Sequence, residues 1–256
     1  DEPVNWKLAA DQAQALAKKN QQSAEVVARE LEPAFDMAKL WLSEATEFST
    51  SAELKILSRQ AWVQDAMTLY KQLSEPVAIS MSKALSENMD KLMPEELSQM
   101  LGPAKSFISN AGASIFAMQL GQAVGKLSEQ TLTGSEIGIP ISARPSLIAQ
   151  NMEQLIQDIP TPKSEVLIYL STRELALASL YNSNKWLSDQ IVTQVREFAA
   201  GLEVDVDEIQ NLAESIDPTD QDAMNQILQA GSLITQRTDE QEAALVRIEL
   251  MLALIE

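Results

Sequence analysis

The sequence of 256 residues contains no histidine and no cysteine. Without these side chains it has no disulfide, no thiolate or imidazole ligand for zinc, and no Ser-His-Asp or Cys-His catalytic arrangement. A metal ion would have to be held by oxygen atoms alone, which suits calcium, magnesium or manganese better than zinc. We therefore expect no cofactor.

Glycine and proline are also scarce, with 8 and 10 residues, whereas 45% of the residues are apolar. Such a composition is typical of helices rather than of sheets with many turns, and the apolar content is sufficient for a sizeable core. No Gly/Ser-rich linker, low-complexity tract or fixed-period repeat divides the chain. The sequence predicts an all-α protein, with residues 1–256 forming a single multi-helix domain.

Basic residues are few, because 19 Lys and Arg stand against 37 Asp and Glu and give a formal net charge of −18. This charge disfavours nucleic acid and anionic membranes as partners. An acidic decoy that mimics nucleic acid would need its charge on one face, whereas the carboxylates are spread over many helices. The most apolar stretch, 113–124, is too short to cross a bilayer. We expect a cytoplasmic protein with a protein or peptide partner and leave its oligomeric state open.

Helical spacing of apolar residues dominates the chain before residue 150. It predicts two helices separated at Pro33 and a third that begins near Ser51 and continues towards Pro76. Small residues then recur every fourth position and predict a helix face that another helix approaches closely: Ala113, Ala117, Gly121 and Gly125. Between 136 and 150, Gly and Pro among Ile and Leu predict a loop with at most a short β-hairpin, followed by a helix capped at Asn151.

The second half continues as helices. The spacing predicts a helix that opens at Pro162 and ends at a turn over 182–184. Further helices are expected over 185–200, 207–214, 219–228 and 238–256. An acidic cluster at 203–208 lacks the glycine and the closing glutamate of a calcium loop, so we interpret it as an exposed helix start.

Seven phrases occur in a fixed order along nearly the whole chain: NWKLAADQAQALA, AFDMAKLWLSEAT, LSRQAWVQDAMTLYKQLSEPVA, FAMQLGQAVGKLSEQTLTGSEIGIPI, STRELALASLY, KWLSDQIVTQVREFAAGLEVD and EQEAALVRIELMLALIE. The series resembles a mainly actinobacterial family of unknown function that is described as zincin-like metallopeptidases and hydrolases. The resemblance implies a zincin-like helical scaffold.

In zincins one helix supplies two histidines four residues apart that hold zinc, and a glutamate between them acts as general base. The resemblance places the first ligand position at Arg173, the base at Glu174 and the second ligand position at Leu177. It places a third ligand at Glu256, with Glu249 as the weaker candidate. Arg173 brings a permanent positive charge and Leu177 offers no lone pair, so the likeness that implies the scaffold argues against its chemistry.

Two hypotheses follow for function. The first is a protein that keeps the zincin-like scaffold without zinc or catalysis, retains Glu174 as a vestigial base, and serves as a binding or scaffolding module. The second is a hydrolase in which Glu174 remains the general base beside a metal site without histidine, since two carboxylates can support hydrolysis without imidazole.

Overall fold

The computed structural model describes residues 3–18, 25–92, 102–200 and 238–255, except for the side chains of 84–92 and 102–111. This part of the chain contains eight helices and two short strands, in the order α1 (Trp6–Ala17), α2 (Glu25–Ala45), β1 (Lys55–Leu57), α3 (Arg59–Leu92), α4 (Gly102–Gln130), β2 (Ser146–Ile148), α5 (Ala149–Asp158), α6 (Lys163–Ser183), α7 (Trp186–Ala200) and α8 (Asp239–Ile255). The mainly α-helical class is thereby confirmed. The helices predicted over 207–214 and 219–228 and the acidic cluster at 203–208 lie outside the described residues.

The two strands form a parallel pair, in which Ile56 lies opposite Leu147. The hairpin predicted near 136–150 is therefore wrong, because β2 pairs with a segment about 90 residues earlier rather than with its sequence neighbour. Thr133 forms one antiparallel bridge with Leu147 on the other side of β2. The pairing buries Leu147 and Ile148 completely between helices, which is the setting in which a short apolar run is stable as a strand.

Two predicted helix boundaries are corrected. Helix α2 runs through Pro33 without a break, and this is tolerated because Pro33 lies on the exposed side of the helix, where water can satisfy the carbonyl that loses its partner. Helix α3 begins at Arg59 rather than near Ser51, and the hydroxyl of Ser58 caps it by accepting from the backbone N–H of Ala61 at 3.1 Å.

Helix α1 packs directly on the small-residue face of α4, which confirms the predicted close approach. A Cβ atom added to Gly121 would lie 2.5 Å from the carbonyl oxygen of Ala9, and one added to Gly125 would lie 2.7 Å from Leu16. Only glycine at these positions lets the two backbones come so close. Within the described residues, no helix has the length and apolarity that a membrane span requires.

Helices α2 and α6 enclose a second part of the core around β2. Leu31 on α2 shares one apolar cluster with Leu167 on α6, and Phe35 shares another with Leu175. Each of these fully buried side chains contributes on the order of 2 kcal/mol relative to an exposed position. The packing fixes α6, the helix that carries Arg173, Glu174 and Leu177, against the rest of the fold.

A buried polar network joins the start of α3 to the end of α4. Arg59 donates through Nε to the side-chain oxygen of Asn151 at 2.6 Å, and the amide nitrogen of Asn151 donates to the carbonyl oxygens of Ser128, at 2.9 Å, and Thr131. Asn151 therefore does not cap α5, which begins two residues earlier at Ala149. The network instead satisfies carbonyls at the carboxyl end of α4, where a cation is electrostatically favoured.

Candidate functional site

Helix α6 carries the three residues to which the resemblance assigns the zincin motif, Arg173, Glu174 and Leu177. Pro162 sits at its N-cap position and Asn184 at its C-cap, so the helix spans 21 residues and ends at the predicted turn. Positions 173 and 177 are one helical turn apart and share a face. Every α-helix places such positions on one face, so what these residues can do depends on what each side chain contacts.

The side chain of Glu174 is buried, with a relative exposure of 1%. Its Oε2 accepts a hydrogen bond from the backbone N–H of Ser135 at 3.1 Å, and its Oε1 accepts one from the backbone N–H of Ser146 at 2.9 Å. Both carboxylate oxygens thus bind backbone donors of the protein itself. A general base needs an oxygen directed at a reacting water or substrate, whereas Glu174 is enclosed by the protein and each of its oxygens accepts a backbone hydrogen bond.

The two donors belong to the ends of one connection, residues 131–145 together with the first residue of β2. Within it the N–H of Gly134 donates to the carbonyl of Ser146 at 2.8 Å, and the N–H of Ile141 donates to the carbonyl of Gly134 at 3.0 Å. Glu174 therefore ties helix α6 to both ends of this connection. Its carboxylate occupies the position where the loop would otherwise leave two backbone N–H groups without acceptors.

Tyr181 makes a further bond between α6 and the same connection. It follows Glu174 by seven residues, which is about two helical turns, so both side chains point to one side of α6. Its hydroxyl donates to the carbonyl oxygen of Gly138 at 2.6 Å. Gly138 has a φ of 81°, a left-handed conformation that favours glycine. Glu174 and Tyr181 thus fix the connection to α6 at three points, and Asn182 adds a fourth by donating through Nδ2 to the carbonyl oxygen of Ala143 at 2.9 Å.

The electrostatic environment of Glu174 follows from this burial. Removal from water raises the pKa of Glu174 above its ordinary value of 4.5, and the hydrogen bonds donated by Ser146 and Ser135 oppose that rise. Burial also raises the pKa of Tyr181 to about 12, so its hydroxyl is neutral near pH 7 and remains a donor. A raised carboxyl pKa is common at catalytic sites, but here it has a structural cause in the enclosed position of the side chain.

The residues at the two expected ligand positions, Arg173 and Leu177, cannot bind a metal ion. Leu177 is buried and has no donor atom. Arg173 is half-buried on the same helix, and its guanidinium carries a permanent positive charge that repels a dication. Within the described ranges, no three Asp or Glu side chains come close enough together to hold a metal ion. The side chains around Glu174 therefore do not fit a zinc ion.

The helix expected to supply a third ligand lies over the same connection. Leu252 of α8 packs onto Gly138, since a Cβ atom added to that glycine would lie 2.7 Å from its Cδ2. The weaker ligand candidate, Glu249, is exposed on the outer side of α8. The first candidate, Glu256, lies outside the described residues. The fold thus brings α8 to the connection that α6 holds, but it does not bring the carboxylate of Glu249 to Glu174.

Ser135, Ser146 and Tyr181 were not singled out from the sequence. The two serines contribute backbone N–H groups, which every residue except proline has, so their side chains give no signal of the contact. Tyr181 could have been found by its spacing from Glu174 on the same helix face, although that spacing alone does not identify the carbonyl that it binds.

The comparisons with known proteins give one family and one structural likeness. The family model described as zincin-like metallopeptidase matches residues 4–256. Among solved structures, the chain is similar to a protein from Chloroflexus aurantiacus whose crystal structure is described as that of "a putative hydrolase with a novel fold", with a TM-score of 0.47 and 12% sequence identity over 98% of this chain and 79% of that chain. A likeness of this strength carries no argument about chemistry. No curated protein matches the chain.

Proposed function

Because the chain belongs to the family of zincin-like metallopeptidases, we propose that it keeps the scaffold of that family without zinc or catalysis and acts as a binding or scaffolding module. The absence of histidine supports this proposal, since the two zincin ligand positions hold Arg173 and Leu177. A protein or peptide is the proposed partner, in the cytoplasm, whereas the net charge of −18 disfavours nucleic acid and anionic membranes.

One observation carries the proposal, namely that both carboxylate oxygens of Glu174 accept backbone hydrogen bonds inside the protein. In a working zincin this carboxylate activates a water on the metal and therefore faces an open cavity. Here, Glu174 holds the connection between α4 and β2. A residue that supports the fold in this way remains useful after the metal ligands are lost, which explains why a glutamate can persist beside Leu177.

The alternative is a hydrolase that uses Glu174 as general base with a metal site without histidine. The raised pKa of Glu174 is the observation in its favour, because enzymes often raise the pKa of a catalytic carboxyl group. The burial counts against it, since a carboxylate with an exposure of 1% is shielded from solvent, and each of its oxygens already accepts a backbone hydrogen bond.

A metal and activity test decides between the two. The purified chain is dialysed against zinc, freed of excess ion and measured for bound zinc by mass spectrometry, and its hydrolysis of peptide substrates is recorded in parallel. We expect no stoichiometric zinc and no hydrolysis. One zinc ion held per chain would overturn the proposal, and so would hydrolysis that Glu174→Gln abolishes while Glu249→Gln, an exposed control, leaves it intact. Circular dichroism confirms that each variant is folded.

The binding role is tested separately by affinity capture from a cell extract. A specific partner that the wild type retains after washing at high salt is the expected result, because screening removes contacts that depend only on net charge. Recovery of background proteins alone, in the same amounts as on a matrix with an unrelated acidic protein, would contradict a binding role.

A further inference from the structure

Helix α2 exposes large apolar side chains on one outer face. Val26, Met37, Leu40 and Trp41 have relative exposures of 60%, 41%, 56% and 51%. Phe48, just beyond the end of the helix, is also exposed. Single exposed apolar residues are ordinary, but several on one helix face are typical of a surface that binds another protein. We call the set formed by Val26, Met37, Leu40 and Trp41 the α2 stripe.

The α2 stripe is separate from the face that α2 buries in the core. The buried positions of α2 are Val27, Leu31, Ala34, Phe35 and Ala38. At 100° per residue these positions centre about a third of a turn away from the stripe. Val26 is set apart from the other three, because Pro33 and Glu30, which pairs with Lys163 of α6 at 2.6 Å, lie between it and Met37 on the same face. The adjoining members of the stripe are Met37, Leu40 and Trp41, which lie within about one and a half turns of the helix.

Negative charges beside the α2 stripe are left without positive partners among the described residues. The basic residues of α2 are engaged on their own helix, since Arg29 pairs with Glu25 and Lys39 with Asp36. At the carboxyl end of the helix, Glu44 and the neighbouring Glu47 are exposed and form no ion pair within the described part of the chain. The surface next to Leu40 and Trp41 is therefore apolar with a negative border.

We propose that the α2 stripe binds a basic amphipathic helix of a partner protein. The apolar side of such a helix covers Met37, Leu40 and Trp41, and its Lys or Arg side chains face Glu44 and Glu47. A methionine and a tryptophan suit this contact because the first adapts its shape and the second buries a large area. The inference rests on the proposed function as a binding module and names its surface and the chemistry of its partner.

An apolar face could also bind a second copy of this chain or a lipid surface, and charge argues against both. A second copy carries the same net charge of −18 and would place the same carboxylates against each other. An anionic lipid surface repels the chain for the same reason. A basic helix is the occupant for which the apolar and the electrostatic terms have the same sign.

The test uses a synthetic peptide of roughly 18 residues, in which leucines form one helical face and lysines the other. It is titrated into the full chain at an ionic strength of about 0.15 M, with calorimetry as the readout. We expect Leu40→Ser and Trp41→Ser each to weaken binding by about tenfold or more, as loss of a central apolar anchor does. Glu44→Lys weakens binding less and reduces its dependence on salt.

The controls make each outcome decisive. Leu250→Ser alters an equally exposed leucine on the outer side of α8 and leaves binding unchanged if the site is the α2 stripe. A peptide with glutamate in place of lysine is expected not to bind. The proposal fails if the wild type does not bind the basic peptide, or if Leu40→Ser and Leu250→Ser bind it equally well. It also fails if sedimentation shows a dimer that Leu40→Ser dissociates, because the occupant is then a second copy.

These results are independent of the test of the proposed function. Bound zinc or hydrolysis that requires Glu174 overturns the absence of catalysis and leaves peptide binding at α2 unaffected. Loss of the α2 interaction, together with a captured partner that is indifferent to Leu40→Ser, overturns the location of the surface and leaves the binding role in place.

Discussion

Two regions of this protein place side chains contrary to their usual preference, and they do so in opposite ways. Around Glu174 a carboxylate lies inside the protein, whereas on the outer face of α2 the side chains of Leu40 and Trp41 lie in water. Glutamate is rarely buried without partners, and large apolar residues rarely gather on a surface. Each of these two placements is therefore unfavourable unless a further contact compensates for it.

The difference between the regions lies in where that contact is found. Glu174 has its partners within the chain, since two backbone N–H groups satisfy both of its oxygens. The α2 stripe has none within the described ranges, because its side chains are exposed and Glu44 and Glu47 beside it form no ion pair there. We interpret a buried carboxylate whose partners lie within the chain as structural. We interpret an exposed apolar surface without such partners as a binding surface. The proposed structural role of Glu174 and the proposed binding role of α2 both rest on this contrast.

Among substitutions of the polar side chains that join α6 to the connection, the largest expected effect is that of Glu174→Ala, which leaves the N–H groups of Ser135 and Ser146 buried without acceptors. We expect a loss of about 3 kcal/mol in the free energy of unfolding, measured by urea denaturation, because each unsatisfied buried donor costs on the order of 1–3 kcal/mol. The exposed control Glu249→Ala changes stability by less than about 0.5 kcal/mol. Equal effects of the two substitutions would show that Glu174 does not support the fold and would break the comparison.

Much of the fold could be predicted from the sequence because the spacing and the capping residues of a helix lie within one short stretch of the chain. The turn over 182–184 ends α6 as predicted, and α7 and α8 lie within a residue or two of their expected ranges. Strand β1 could not be predicted, since three residues are too few to show a two-residue period and the segment lies between a capping pattern and an amphipathic helix. Its partner, β2, lies about 90 residues away, and such pairing depends on tertiary packing.

The candidate site was predictable in its helix and not in its contacts. The sequence predicted the helix from Pro162 to the turn at 182–184, whereas the roles of Arg173, Glu174 and Leu177 follow from the resemblance to zincins and stay a prediction. The burial of Glu174 could not be inferred, because its partners are backbone N–H groups that leave no trace in side-chain identity. For α2, periodicity predicted helix on both sides of Pro33 but not its continuity through that residue, and which apolar residues face water depends on where α6 packs.

A pH titration sharpens the account of Glu174. Burial raises its pKa above 4.5, so the folded protein holds this proton at pH values at which the unfolded chain has released it. The contribution of the group to stability is therefore largest below pH 4.5 and decreases as the pH rises through the folded-state pKa. Glu174→Gln does not titrate, so the stability of the wild type relative to this variant should fall as the pH is raised from about 5.

The same urea measurements, repeated at several pH values, check this sign. A relative stability that rises with pH would mean that the hydrogen bonds from Ser135 and Ser146 outweigh burial and hold the pKa below its ordinary value. Glu249→Gln, at an exposed position, provides the baseline for changes that any carboxylate-to-amide substitution produces.

A smaller effect is expected for Tyr181→Phe, which removes the hydroxyl that donates to the carbonyl of Gly138. The aromatic ring stays, so the loss is that of one hydrogen bond, about 1 kcal/mol in the free energy of unfolding. Tyr169→Phe is the matched control, since Tyr169 lies on the same helix with a relative exposure of 65%. Equal effects of the two substitutions would show that the hydrogen bond from Tyr181 to Gly138 does not contribute to the free energy of unfolding.

The smallest expected effect on stability is that of a substitution in the α2 stripe. A small effect is what distinguishes an exposed binding surface from the buried face of the same helix. Leu40→Ser removes an apolar side chain that is already in water, so we expect a change below about 0.5 kcal/mol in the free energy of unfolding. Phe35→Ala, on the buried face of the same helix, should cost about 3–5 kcal/mol. A loss for Leu40→Ser that approaches the loss for Phe35→Ala would mean that Leu40 is covered within the chain, and the reason for assigning a partner to α2 would disappear.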